Sequence, residues 1–509
     1  MFESMLDGFA VAFEPTNLLY VLIGALIGMV IGVLPGLGPA ATIALLLPLT
    51  YTMDPISAVI MLAGVYYGSM YGGTITSVLL KIPGEAASVV TAIDGHEMAR
   101  QGRAGPALGI AAIGSWVGGT VSIIGLTIMA PLLASVALGI GPPEYTALAI
   151  LGIVLVAYLG TKSFARAMVA ATAGLLLAAI GQDPIIGTPR MTGGVPELLG
   201  GIDVVALAMG LFGIGEILHN LENQHMGKPL TQKVSHILPS RSDLRSSIGA
   251  IGRGSALGFF IGILPGGGGM VSSLASYGIE KRRAKDPTRF GKGAIEGVAG
   301  PETANNASST SSFIPLLTLG LPSNVVLALI YGALLLQGIT PGPRLIEEHP
   351  DLFWGVVSSM YVGNLILLIL SLPLIGLFVR LLRIRLGLLA PVAIMLSLVG
   401  VYTINNNVFD VWMAIGFGVL GYLMRKFGFE PGPLILAFIL GGIIERAFRQ
   451  SLLISDGSFS IFVNRPVAAV LFIAVAVLVA LAASDGFRVR KSRQRVLAET
   501  THGKEAPKQ

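Results

Sequence analysis

The chain is 509 residues long, 53% hydrophobic and only 12% charged, with a formal net charge of +5 and no cysteine. Soluble domains carry about 25% charged residues, so this composition points to a bilayer and excludes an ordinary soluble enzyme. The missing cysteines exclude disulfides and thiolate chemistry, and no dense basic face with interleaved aromatics marks a nucleic-acid surface. Residues 1–17 hold Glu3, Asp7 and Glu14 but no Lys or Arg, unlike the basic start of a cleaved signal peptide. Apolar runs follow at 17–34, 106–140, 146–159, 202–218, 324–336, 354–379, 386–402, 411–424 and 466–483. Some fall short of a full span. The pattern predicts an all-α polytopic membrane protein with roughly ten to twelve membrane elements.

An internal repeat organises these runs. Gly24, Gly28, Gly32 and Gly36 recur every fourth residue and end in Leu34-Pro35-Gly36. Gly254, Gly258, Gly262 and Gly266 do the same, 230 residues later, and end in Leu264-Pro265-Gly266. Glycines at i and i+4 share one helix face and admit a second backbone. Pro-Gly backbone cannot continue a helix, and in a membrane it is tolerated only inside protein or beside a water-filled cavity. The apolar arms around each break are short: 18–34 and 40–51, then 255–264 and 270–279. They read as re-entrant or broken-helix hairpins with Pro-Gly tips.

Charge sets their direction. The first 80 residues contain no Lys or Arg, and Glu14 and Asp54 border the first hairpin. Arg241, Arg245 and Arg253 precede the second, and Lys281, Arg282, Arg283 and Lys285 follow it. Positive charge marks cytoplasmic loops, so the first hairpin is expected to open outward and the second inward. Two related units of opposite orientation make an inverted-topology repeat, the mark of alternating access. The expected division is a first transmembrane repeat at 1–218, a cytoplasmic linker at 219–248, a second repeat plus C-terminal spans at 249–484, and a basic cytoplasmic tail at 485–509. Arg380, Arg383 and Arg385 mark a further cytoplasmic turn.

A second matched pair lies after each hairpin. The stretch from Tyr71-Gly72-Gly73-Thr74-Ile75-Thr76-Ser77 to Pro83-Gly84 aligns loosely with Ser311-Ser312 to Pro322-Ser323, at an offset of 239. Asn305 and Asn306 stand just before the second copy. Half-helix N-termini direct amides at anions, while half-helix C-termini and free carbonyls hold small cations. Ser, Thr and Asn add neutral donors and acceptors. The candidate substrate site is therefore Pro35, Gly36, Gly38, Gly72, Gly73, Thr74, Pro265, Gly266, Gly267, Gly268, Asn305, Asn306 and Ser308. The candidate ligands for a coupling ion are Gly36, Thr76, Asn306 and Ser309. Ordinary packing competes as the role of Thr74, Thr76 and Ser77, and helix–helix hydrogen bonding as that of the two asparagines.

The remaining polar residues suggest little chemistry. Lys81, Glu85, Asp94, His96, Glu97, Arg100 and Arg103 read as one solvated interruption. Glu302 and Asp54 lie nearer the site, and either could simply mark an interface. His219, His225 and His236 lack ligand spacing, so no metal site is expected. There is no Gly-x-x-x-x-Gly-Lys-Ser/Thr loop, no Gly-x-Ser-x-Gly elbow and no His-Glu-x-x-His pair. Gly36-Leu37-Gly38-Pro39-Ala40-Ala41 resembles a dinucleotide fingerprint but lacks its strand–turn–helix setting. The chain reads as neither an enzyme nor a cofactor protein.

Three groups of residues carry a family resemblance. They are Gly32-Val33-Leu34-Pro35-Gly36-Leu37-Gly38-Pro39; Tyr67-Gly68-Ser69-Met70-Tyr71-Gly72-Gly73 followed by Ile82-Pro83-Gly84-Glu85; and Pro301-Glu302 with Ala304-Asn305-Asn306-Ala307. With Leu264-Pro265-Gly266-Gly267-Gly268 and Pro315 to Pro322 they resemble the large membrane subunit of the tripartite tricarboxylate transporters, over about residues 17–442. The resemblance implies a multi-pass protein of the bacterial inner membrane that takes up a small carboxylate, such as citrate or a dicarboxylate. It implies a Na⁺ or H⁺ gradient as the drive, and two partners: a small membrane subunit and a periplasmic solute-binding protein. Elevator-type motion is expected only by analogy with related transporter folds. A stand-alone ion-coupled anion transporter is the alternative. No acidic residue stands out in the sequence as a buried proton carrier, which leans towards Na⁺. Pro322-Ser323 departs from the Pro-Gly usual in the family, so the two loops are expected to differ in backbone geometry.

Overall fold

Gly24, Gly28 and Gly32 leave three side-chain positions empty on one face of helix Pro15–Val33, and the backbone of helix Pro55–Leu80 fills them. A Cβ at these glycines would lie 2.3, 2.4 and 2.3 Å from the carbonyl oxygens of Met61, Val65 and Ser69. The second half repeats this packing. A Cβ at Gly254, Gly258 or Gly262 on helix Arg241–Ile263 would lie 2.6, 2.3 or 2.4 Å from the carbonyl oxygens of Gly300, Ala304 or Ser308. Those three residues stand 239 positions after Met61, Val65 and Ser69. Both glycine stripes therefore serve close helix packing.

The structure is a computed structural model that describes residues 2–34, 38–160, 163–222, 237–381 and 386–502. Pro35 and Gly36, linker residues 223–236, and Arg383 and Arg385 lie outside the described residues. Among the described residues, ten helices are long and apolar enough to cross a membrane: Pro15–Val33, Pro55–Leu80, Ala104–Ala137, Pro142–Leu159, Val204–Glu222, Arg241–Ile263, Pro350–Ser371, Val408–Lys426, Pro431–Ile454 and Pro466–Ser484. Shorter apolar helices include Pro39–Tyr51, Phe164–Ala178 and Val325–Leu336. A small sheet pairs Gly181–Gln182 with Pro189–Arg190 in the connection after Phe164–Ala178. The chain is thus an all-α polytopic membrane protein.

The apolar runs missed Pro55–Leu80 and Pro431–Ile454. The first is diluted by glycine, tyrosine, threonine and serine, yet its most apolar window is wholly buried. A helix surrounded by other helices needs small residues for contact more than it needs apolarity. The second hairpin also has longer arms than the sequence suggested, at 23 and 15 residues. Arg241, Arg245 and Arg253 lie within the first arm, and Lys281, Arg282 and Arg283 end the second. Arg253 donates to both carboxylate oxygens of Glu280 at 2.7 and 2.6 Å, tying the two arms together.

Helix Pro55–Leu80 ends at Lys81, which is left-handed at φ 61°. Helix Phe313–Leu319, which directly follows Glu296–Ser311, ends at Gly320, left-handed at φ 69°. These positions are 239 residues apart. The two turns therefore share their left-handed residue, contrary to the expectation drawn from Ser323. Neither Gly84 nor Ser323 has a positive φ. Gly84 is needed for space instead, since a Cβ there would lie 2.0 Å from the Gly32 carbonyl oxygen.

Candidate functional site

Each left-handed turn delivers a helix cap. Glu85 caps the turn Ala86–Val89, its Oε2 accepting from Ala87 N–H at 2.7 Å. Asn324 caps helix Val325–Leu336, its Oδ1 accepting from Leu327 N–H at 3.0 Å. The two caps obey the same 239-residue offset. Both face a cavity of about 600 Å³. Its wall includes the first hairpin tip at Gly38, the second tip at Gly266, Gly268 and Gly269, and both capping turns. Tyr66 and Glu216 add further polar side chains to the wall.

Asn305 joins the parts. It is 1% exposed, lines the cavity, and its Nδ2 donates to Glu85 Oε1 at 3.0 Å. Its Oδ1 has no hydrogen-bond partner and lies 2.2 Å from where a Cβ on Gly269 would be. The buried amide thus bridges the turn of the first half to the second tip. Asn324 Nδ2 donates to the Tyr66 hydroxyl at 3.1 Å, the reverse bridge from the second half to the first. At the first tip, Glu216 Oε1 lies 3.3 Å from where a Cβ on Gly38 would be, and Glu216 Oε2 accepts from Arg425 at 3.1 Å. Gly266 adopts φ +76° and donates its N–H to the Ser323 carbonyl at 2.8 Å. These contacts hold the second tip against its own capping turn.

Of the residues chosen from sequence, Gly38, Gly266, Gly268 and Asn305 line the cavity. Pro265 and Gly267 belong to the second tip without lining it. Gly72 packs against the Met29 carbonyl, and Gly73 against Glu85. Thr74 donates to Glu302 at 2.8 Å, and Thr76 to the Gly73 carbonyl at 3.0 Å. Asn306 donates to Ser115 at 2.7 Å, and Ser309 to the Asn305 carbonyl at 3.1 Å. Ser308 is buried with no partner for its hydroxyl. These helical residues sit behind the cavity wall rather than on it.

Sequence reasoning missed Glu85, Asn324, Tyr66 and Glu216. By sequence, Glu85 and Asp94 belong to a solvated interruption. Glu85 instead lines the cavity, and Asp94 is fully buried. Asp94 accepts from the amides of Gly291, Gly293 and Ala294 and from the Tyr277 hydroxyl. The usable signal was the repeat itself: once Pro83 is laid on Pro322, Glu85 falls on Asn324. Among the described residues no cluster of three His, Cys, Asp or Glu could hold a metal ion.

The site has two chemical halves. Glu85, Glu216 and Glu430 bring carboxylates to the wall, and no Lys or Arg among the described residues lines it. Helices Pro39–Tyr51 and Gly269–Arg283 both start at the wall, where Ala40, Gly269 and Met270 line it, and helix starts present unpaired backbone amides. A family model described as the tripartite tricarboxylate transporter TctA family matches residues 18–436. An uncharacterized 52.8 kDa protein in the TAR-I ttuC′ 3′ region of Agrobacterium vitis is 48% identical, over 97% of this chain and 98% of its own length. An uncharacterized protein in the TAR-II ttuC′ 3′ region of the same organism is 50% identical over 48% of this chain and 99% of its own length. No solved structure gives a significant match. With the family model covering residues 18–436 of 509, the chain belongs to the tripartite tricarboxylate transporter TctA family.

Proposed function

We propose that this chain is the large permease subunit of a three-part secondary transporter in the bacterial inner membrane, with its C-terminus in the cytoplasm. It takes up a small carboxylate, citrate or a related tri- or dicarboxylate, driven by a Na⁺ or H⁺ gradient. A small membrane subunit and a periplasmic binding protein complete the system. One observation carries the reading: a single cavity is bounded by both Gly-rich tips and both capping turns. That is the arrangement expected where two inverted repeats meet around a site reached from each side in turn.

Charge supports the ion requirement. A carboxylate substrate entering beside Glu85 and Glu216 meets like charge, with Glu216 paired to Arg425. Desolvated like charges raise one another's cost steeply, so anion entry calls for cations or protons to accompany it. The cavity also reaches Gly160, Asn220 and Glu430, at helix ends that the charge pattern assigns to the cytoplasmic side. This fits an inward-facing arrangement.

The test is uptake of labelled citrate and a dicarboxylate panel into proteoliposomes under imposed Na⁺ or H⁺ gradients. Uptake should need the binding protein and should vanish in Asn305→Ala while membrane insertion persists. Near-normal transport by that variant would remove the site assignment. Uptake without the binding protein would favour a stand-alone transporter.

A further inference from the structure

Helix Glu296–Ser311 buries a second carboxylate one turn before Asn305. Glu302 is 0% exposed, and its Oε2 accepts from the Thr74 hydroxyl at 2.8 Å and its Oε1 from the Thr91 hydroxyl. No Lys, Arg or His forms an ion pair with Glu302 or Glu85 among the described residues. An unpaired carboxylate ion sealed in protein at membrane depth costs several kcal/mol, and two neutral hydroxyls do not offset that. A hard cation at this carboxylate would have to gather several oxygens at once. A proton needs only one.

We propose that Glu302 binds the coupling proton of this transporter. The proposal rests on the ion-coupled reading above and names the ion and its seat. The hydrogen-bond geometry accepts both states. With Glu302 ionised, the Thr74 hydroxyl donates to Oε2. When a proton binds Oε2, the carboxylic acid donates to Thr74 Oγ1 instead. The Thr74 hydroxyl then turns to the Met70 carbonyl, 3.2 Å away. One proton is gained by one oxygen, no other bond is made or broken, and no donor or acceptor is stranded in either state.

The surroundings set the carboxylate near the cavity and between the halves. Asn305, three residues along the same helix, reaches Glu85 at the cavity wall, so the sealed carboxylate lies one helical turn from a group that meets the cavity. Thr74 and Thr91 sit on helices Pro55–Leu80 and Thr91–Arg100 of the first half, while Glu302 belongs to the second. Protonation therefore acts at the contact between halves.

The other titratable groups around this helix are engaged elsewhere. The Tyr71 hydroxyl binds Asn364, Asp94 is held by three amides and Tyr277, and His96 Nδ1 meets the Val78 carbonyl. Arg103 pairs with Asp243, Arg253 with Glu280, and Glu296 with Arg289. Arg241, Arg245 and Lys281 to Arg283 lie at the outer ends of the hairpin arms. Helix Ala104–Ala137 contributes no titratable side chain.

Difference infrared spectroscopy of the full-length protein in lipid nanodiscs, titrated with acid and base, tests this without any substrate. Wild type should give a protonated-carboxyl carbonyl band that converts to carboxylate as pH rises. Glu302→Gln should lose that band, and Thr74→Val, which removes the switching hydroxyl, should shift its frequency and midpoint. A wild-type spectrum without a titrating carboxyl band, or bands unchanged in both variants, would overturn the proposal. Proteoliposomes holding all three subunits, citrate and an internal pH dye form the second arm. Proton entry with each citrate, lost in Glu302→Gln, is the expected result. Citrate uptake driven by Na⁺ alone with no proton movement would defeat the proton assignment and leave carboxylate uptake standing. Absence of uptake of citrate and of every dicarboxylate in the panel under every gradient would defeat the carboxylate reading, with the infrared titration still deciding Glu302.

Discussion

Asn305 shows how much one residue depends on what the fold brings to it. In sequence it is one of two adjacent asparagines, with nothing to rank one above the other. Their side chains point to different elements, Asn305 to Glu85 and Asn306 to Ser115. That split follows from the roughly 100° turn per residue of a helix, but which face meets the cavity depends on packing that composition does not encode. Glu85 was hidden for a similar reason: flanked by Lys81, Asp94 and Glu97, it looks like part of a wet loop. Gly269 gives a sharp test of the Asn305 contact. A methyl at Gly269 would press on Asn305 Oδ1 at 2.2 Å, so Gly269→Ala should displace the amide from Glu85. We expect at least tenfold slower citrate uptake at wild-type expression, measured in proteoliposomes. Gly278→Ala on the same helix, where a Cβ meets nothing within 4 Å, should transport normally.

At the scale of elements, the glycine stripes were legible because a four-residue spacing has few other uses. The partner helices were not, since the sequence of Pro55–Leu80 gives no apolar run to notice. The packing predicts a contrast within one helix. Gly258→Leu would drive side-chain atoms into the Ala304 carbonyl, 2.3 Å from the new Cβ. Backbone cannot yield cheaply, and overpacking of this kind costs about 1–3 kcal/mol or more. Gly252→Ala on the same helix meets nothing within 4 Å and should raise stability by up to about 1 kcal/mol through helix propensity. Thermal unfolding of the purified variants in detergent should therefore move in opposite directions.

The connection between Phe164–Ala178 and Val204–Glu222 is a second such element. Asp183 accepts from the amides of Ile186 and Ile185 and from Arg449, and these contacts hold its carboxyl down to about 2. The folded value lies below the ordinary value of about 3.9, so the clamp is complete above that value and is lost only as pH falls through about 2. Limited proteolysis of this connection should be unchanged between neutral pH and pH of about 5. Asp183→Ala should make it cleave faster at both.

At the scale of the molecule, the two glycine stripes came from residue identity, and the structure repeats their packing, with partner carbonyls at a 239-residue offset. What residue identity could not convey was the cavity. Its wall takes in Glu85, after the left-handed Lys81, and Asn324, after the left-handed Gly320, beside Gly38 and Gly266. The opposed orientation of the halves is the claim on which the transport reading most depends, and the absence of cysteine makes it directly testable. Single cysteines introduced by Gly187→Cys and Asp286→Cys start from an unreactive background. Gly187 lies in the connection whose flanking helix begins near Lys162 and Arg166, which places it outside by the positive-charge rule. Asp286 follows the Lys281 to Arg283 cluster, which places it inside. In intact cells with a permeable outer membrane, an impermeant maleimide should label Gly187→Cys at once and Asp286→Cys only after the inner membrane is opened. A third cysteine, Thr52→Cys at the open end of the first hairpin, should label like Gly187→Cys, because no Lys or Arg precedes it. If Thr52→Cys and Asp286→Cys label from the same side, the hairpins open in one direction. The repeats are then parallel, and alternating access around opposed tips fails as the mechanism.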